Sequence, residues 1–250
     1  MARAAVQRRL SWRQASVVDV VTETPRTRSL VLDVPDWPGH LAGQHVDVRL
    51  TADDGYQAQR SYSISSPPGD GVRLAITVER LEDGEVSPYL TDDLRAGDRL
   101  EVRGPIGGWF VWNASAAAPL FLVAGGSGVC PLMAMLRHRA ARGSTVPARL
   151  LYSARDPGDV IYRSELERLG AGGGLEVVLT LTRAWPDGWT GYRRRVDADM
   201  LRDVAWPPDR APATYVCGPT PFVESVAESL VALGHDPDRI RTERFGPTGG

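Results

Sequence analysis

Residues 119–131 constrain the fold more than any other stretch of the chain. Pro119, Leu120, Phe121, Leu122, Val123, Ala124, Gly125, Gly126, Ser127, Gly128, Val129, Cys130 and Pro131 read as a buried strand, a glycine turn and the start of a helix over 131–142. Glycines let the backbone approach a pyrophosphate, and the free amides and dipole of a helix start favour an anion there. An ordinary strand–turn–helix corner has the same outline. Pro131 also stands where the third glycine of a G-x-G-x-x-G fingerprint belongs, so this stretch alone leaves the nucleotide reading open.

The pattern on either side of this stretch differs. Before it, segments 16–22, 28–34, 44–50, 62–64, 72–78 and 99–103 are short and rich in Val, Leu and Thr, and they are separated by turn signals such as Asp36-Trp37-Pro38-Gly39. They predict a sandwich or barrel, interrupted by one helix over 87–94. After it, strands at 120–124, 148–153, 175–182 and 213–217 alternate with helices at 132–142, 161–169, 198–203 and 222–233, which predicts βαβ units on a parallel sheet. The expected organisation is an arm over 1–14, a β-barrel domain over 15–113 and an α/β domain over 119–250.

Charge and cysteine content narrow the function classes. The net charge of −2 gives no reason to expect nucleic acid as partner. All 29 basic residues are arginine, which removes any lysine nucleophile or Schiff base. Cys130 and Cys217 are too few for a metal cage, so no metal is expected, and they suit a reducing cytoplasm. The start carries no apolar leader, and the prolines and glycines in the uncharged span 113–136 argue against membrane insertion. Hydrolysis lacks a G-x-S-x-G elbow at Ser127, and His40, His45, His138 and His235 have no evident triad context.

Several short motifs carry chemistry. In Arg60-Ser61-Tyr62-Ser63 an arginine fork suits phosphate, a tyrosine ring can stack on a heterocycle and a hydroxyl can bond a ring nitrogen. Gly84-Glu85-Val86-Ser87 precedes Pro88, so Ser87 reads as an N-cap and its helix start as a second anion site. Ser153 and Arg155 close the second parallel strand, where the adenosine ribose of a dinucleotide is read, and arginine there favours a 2′-phosphate. Arg183, Arg193 and Arg194 are further candidates for the same phosphate. Cys217-Gly218-Pro219 ends a later strand, and Glu243 and Phe245 lie near the C-terminus.

Taken in this order, these motifs resemble the ferredoxin–NADP reductase family of flavoproteins over about residues 15–246. Arg60-x-Tyr62-Ser63 is similar to its flavin motif, Gly84-x-x-Ser87 to its flavin-pyrophosphate motif, and Gly126-Ser127-Gly128-x-x-Pro131 to its nicotinamide-nucleotide loop. The resemblance implies an antiparallel Greek-key barrel followed by a Rossmann-like domain. It implies Tyr62 packed on the isoalloxazine, Ser63 near flavin N5 and Arg60 on the pyrophosphate. Backbone around Thr77, Val78 and Glu79 would contact the flavin, and Gly84, Val86 and Ser87 its phosphates. Gly126, Ser127 and Gly128 would hold the nicotinamide nucleotide beside Cys217, Gly218 and Pro219. Ser63, Cys217 and Glu243 would take the catalytic roles, with Glu243 as proton donor, and Phe245 would cover the flavin or be displaced by the tail.

The implied cofactors are FAD in preference to FMN and NADPH in preference to NADH. Hydride would pass from NADPH to flavin N5, and single electrons then to a separate ferredoxin, flavodoxin, haem or molybdenum protein. The absence of a C-x-x-x-x-C-x-x-C run implies that no [2Fe–2S] domain is fused here. A monomer is expected. Two alternatives are an NADH-dependent reductase of free flavin or ferric chelates, and a non-catalytic flavin-binding regulatory subunit.

Overall fold

The computed structural model describes residues 10–246 except 53 and 70. Much of the 1–14 arm, including Arg3, Arg8 and Arg9, and the 247–250 tail lie outside the described residues. Strand β1 (Trp12–Thr24) begins within the stretch assigned to the arm. It is held there by pairing of Trp12 with Arg103, and the guanidiniums of Arg49 and Arg103 lie 4.2 and 4.7 Å from the Trp12 ring centroid.

The first half is an antiparallel barrel. Strands β1, β2 (Thr27–Asp33), β3 (His45–Thr51), β4 (Gln57–Ser63), β5 (Arg73–Glu79) and β6 (Arg99–Ile106) lie in the order β4-β3-β6-β1-β2-β5. An Ile64–Ile76 bridge and the Ser65 amide, bonded to the Ala75 carbonyl at 2.8 Å, join the two end strands. Closure removes free edges, and a core of Leu30, Leu32, Val46, Val48, Ile76 and Val78 fills the interior. Alternation along each strand supplies that interior, as in β2, where Leu30 and Leu32 point inward.

The predicted helix over 87–94 forms as one short helical segment over 87–93, π-type from Tyr89 to Asp93. Ser87 does not cap it. Its hydroxyl instead accepts from the Leu81 amide at 3.1 Å, and Thr91 bonds the Ser87 carbonyl at 2.9 Å. So short a turn has little dipole, which corrects the expectation of a second helix-start anion site.

The second half is a parallel sheet in the order β11-β10-β7-β8-β9, made of β7 (Leu120–Gly125), β8 (Ala148–Ala154), β9 (Leu175–Leu181), β10 (Ala213–Pro219) and β11 (Ile240–Phe245). Helices α1 (Val129–Ala141), α2 (Arg163–Ala171), α3 (Ala198–Val204) and α4 (Thr220–Ala232) cover its faces. Central β7 is buried along its whole length, as its unbroken apolar run predicts for a strand covered on both faces. Helix α1 starts three residues earlier than the pattern suggested, because Gly128 leads straight into it.

The two halves are bolted together by polar contacts. Arg137 of α1 donates to the Ser65 carbonyl at 2.7 Å and forks onto Glu165 at 2.6 and 3.0 Å. Buried Tyr162 bonds Thr77, whose hydroxyl also meets Ser29 at 2.8 Å and Ser65 at 3.1 Å. No helix among the described residues is long and apolar enough to cross a membrane.

Candidate active site at the junction of the two sheets

Gly125, at the end of β7, pairs with Ser153 of β8 and sits against the aromatic ring of Phe222, which a Cβ would meet at 2.9 Å. Gly126 turns the chain with φ +55°, and the nearest atom to a Cβ there is Glu79 Oε2 at 4.0 Å, so its backbone is open to a ligand. Gly128 is packed against β10, where a Cβ would fall 2.1 Å from the Cys217 carbonyl oxygen. Ser127 lies between them, partly exposed. Helix α1 has no side-chain cap and is continuous with the 3-10 turn Gly126–Gly128, whose Gly126 and Ser127 carbonyls take the Val129 amide, so an anion would meet the turn rather than the first residue of α1.

The arginines predicted for the 2′-phosphate fall along the same sheet edge. Ser153 is half-buried and Arg155 exposed, and the Arg183 amide donates to the Arg155 carbonyl at 2.8 Å. Arg193 lies one strand position further out, since Tyr192 bridges Thr180. Its guanidinium is 5.5 Å from the Trp185 ring and donates to the Trp189 carbonyl. Arg194 is held by Asp197 at 2.6 Å and is thereby withdrawn from the group.

On the barrel, Arg60, Tyr62 and Ser63 fall within the last four residues of β4. Arg60 is about half exposed and meets Glu85 at 3.0 Å, and the Tyr56 hydroxyl donates to the same carboxylate at 2.9 Å. Tyr62 packs against the barrel core, and burial pushes its phenol upward. Val78 and Val86 are fully inside that core, so only their main chains can face a cofactor. The Thr77 side chain is spent on the bonds between the halves. Gly84 makes a tight loop, where a Cβ would lie 2.7 Å from the Ser87 hydroxyl.

The two sides meet at Glu243. In β11 it pairs with Cys217, and Phe245, about a third exposed, pairs with Pro219. Its Oε1 lies 3.6 Å from His45 Nδ1, and His45 pairs in turn with Ser63 across β3 and β4. Glu243 Oε2 is buried with no hydrogen-bond partner among the described residues. Burial pushes this carboxyl up to about 7 and holds His45 below its ordinary value, against the pull of Asp47. Cys217 is raised well above the ordinary thiol range, first by burial and then by Glu243. A thiol held neutral shapes the pocket and is a poor nucleophile. His45, Tyr56 and Glu85 were not among the expected site residues. Strand pairing and loop closure bring them in, and neither is written in local sequence.

The oxidoreductase FAD-binding domain family matches residues 14–111 and the oxidoreductase NAD-binding domain family residues 122–228. Ferredoxin–NADP reductase B of Sorangium cellulosum is 35% identical over 240 residues, which cover 93% of this chain and 97% of that protein. The chain belongs to the ferredoxin–NADP reductase family. The glycine betaine monooxygenase reductase subunit of Pseudomonas aeruginosa is also 35% identical, over 236 residues that cover 92% of this chain. The chain spans only 63% of that protein's length. Among solved structures, the flavohaem-like FAD/NAD-binding domain of nitric oxide dioxygenase from Vibrio cholerae superposes with a TM-score of 0.84 at 26% identity, covering 94% of this chain and 99% of that one.

The residues present fit both nucleotide groups of the family. The glycine turn that leads into α1 and the open backbone at Gly126 suit a pyrophosphate. The half-exposed guanidinium of Arg60, which a phosphate could share with Glu85, lies beside the half-buried Tyr62 ring and suits a phosphate joined to a planar ring.

Proposed function

We propose that this chain is an FAD-dependent NADPH oxidoreductase that feeds single electrons to a separate redox protein. A bound flavin supplies the chemistry that turns a two-electron donor into a one-electron source. Arg60 holds its phosphates and Tyr62 packs on its ring system, with the main chain at Thr77, Val78, Glu79, Gly84, Val86 and Ser87 completing the barrel side. Gly126, Ser127 and Gly128 hold the nicotinamide dinucleotide against Cys217, Gly218 and Pro219. Ser153, Arg155, Arg183 and Arg193 read its 2′-phosphate, which makes NADPH the preferred donor. Ser63 orients the reacting ring nitrogen, and Glu243 holds a proton within the same pocket. Phe245 sits at the pocket rim.

The observation that carries this reading is the meeting of Glu243, from the nucleotide half, with the His45–Ser63 pair of the barrel. It sets a titratable acid where the two predicted nucleotide sites face each other. Residues 15–113, extended to Trp12, form the flavin domain and 119–250 the nucleotide domain. The acceptor is a ferredoxin, flavodoxin, haem or molybdenum protein, in keeping with relatives named as reductase subunits of oxygenases. Two free, buried cysteines accord with a cytoplasmic location. The test is to release and identify the flavin, then compare NADPH and NADH in steady-state reduction of a ferredoxin. An equal kcat/KM for the two donors contradicts the 2′-phosphate assignment, and transfer only to free flavin contradicts the protein acceptor.

A further inference from the structure

We propose that Trp185 is a stacking platform for the adenine ring of the nicotinamide dinucleotide. This rests on the placement of the dinucleotide's adenosine end at Ser153, Arg155 and Arg183 proposed above. Trp185 lies in the loop after β9, and the base of that loop is tied to the end of β8, where the ribose of a dinucleotide is read. The amides of Arg183 and Ala184 both donate to the Arg155 carbonyl, at 2.8 and 3.2 Å. Trp185 is the next residue along.

The two tryptophans of this loop are held in opposite ways. Trp189 is built into the fold: its indole nitrogen donates to the Tyr192 carbonyl at 3.1 Å, and its ring lies against Gly191 and packs on the core of the α/β half. Trp185 belongs to no core cluster among the described residues, and 43% of it is exposed. Its one close partner is Arg193, whose guanidinium lies 5.5 Å from the ring centroid. A cation that backs one face of the ring leaves the other for a planar base. Adenine is flat, aromatic and uncharged, so it is recognised by stacking and needs no partner of opposite sign. The division of labour follows from that chemistry. The adenine is common to NADPH and NADH, so Trp185 adds affinity for both. The 2′-phosphate belongs to NADPH alone, and the arginines around it supply the difference between the donors.

Isothermal titration of the purified, oxidised holoprotein with NADP+ and with NAD+ tests this. Neither nucleotide can reduce a flavin, so the readout is binding alone. The wild type is compared with Trp185→Ala, Trp185→Phe and Arg155→Ala. Trp185 lies outside the cores, so its substitution opens no cavity. Trp185→Ala should raise Kd about tenfold for both nucleotides, the size of one lost base–aromatic stack, and Trp185→Phe about threefold or less. The preference for NADP+ over NAD+ should match the wild type in Trp185→Ala and shrink in Arg155→Ala. Unchanged constants in Trp185→Ala, with NADP+ weakened in Arg155→Ala, overturn the stacking role alone. Weakening of NADP+ but not NAD+ in Trp185→Ala also overturns it, and makes Trp185 a support for Arg193 at the phosphate. Unchanged constants in all three variants overturn the placement of the adenosine end at this sheet edge, and the proposal with it.

Discussion

At the residue scale, Glu243 governs the pH behaviour of the site. Its carboxyl rises in the folded protein to about 7 from an ordinary 4.5, so burial favours the protonated form. Stability from this group is complete below about pH 4.5, falls as pH climbs and is lost above about 7, a change of about 1–3 kcal/mol. His45, held low, acts oppositely, losing stability as pH drops below its ordinary 6.5. The difference in melting temperature between the wild type and Glu243→Gln, followed from pH 4.5 to 8, isolates the carboxyl, and it should shift in favour of the variant as pH rises. A pH-independent difference contradicts the assignment. At the other nucleotide end, Arg155→Ala should lower kcat/KM for NADPH about tenfold or more and leave NADH nearly unaffected, since only NADPH carries the charge that a guanidinium fork grips. Steady-state kinetics with both donors decides it.

At the element scale, the glycine loop depends on close packing as much as on flexibility. In Gly128→Ala the added methyl falls 2.1 Å from the Cys217 carbonyl, so β10 or the loop must move. The expected cost is about 2–4 kcal/mol in denaturant unfolding, with weakened NADPH binding. The alternation of Leu30 and Leu32, the apolar run of β7 and Pro131 in the first turn of α1 are local signals, and those elements are legible in the sequence. The helical segment after Ser87 follows the sequence pattern but its cap does not, because the Ser87 hydroxyl is drawn to the Leu81 amide by loop closure, a contact that capping preferences do not encode. Cys217 and Glu243 stand out in the sequence only as members of short motifs, and the register of β10 and β11 is what sets them side by side. His45 became part of the site only through its pairing with Ser63, and the register that makes this pair is set by barrel closure.

At the scale of the whole molecule, the distance between the two proposed nucleotide sites is set by the contacts that join barrel and sheet. The change of pattern before residue 119 disclosed the two halves, but not how they dock, because Arg137, Tyr162 and Thr77 are ordinary residues until the fold assembles them. Arg137→Ala removes a forked pair with Glu165 and a bond to Ser65. Calorimetry should show about 1–3 kcal/mol of lost stability and a single transition broadened toward two, as expected when halves with separate cores lose their coupling.

In the proposed function both nucleotides meet at the Glu243 junction and react there. Mixing the purified holoprotein with NADPH in the absence of oxygen tests it most directly. The visible absorption of the bound flavin should bleach within seconds, to the same end point with excess NADPH as with dithionite. A flavin spectrum that NADPH leaves unchanged, while dithionite bleaches it, would contradict the claim and assign the chain to flavin binding without catalysis.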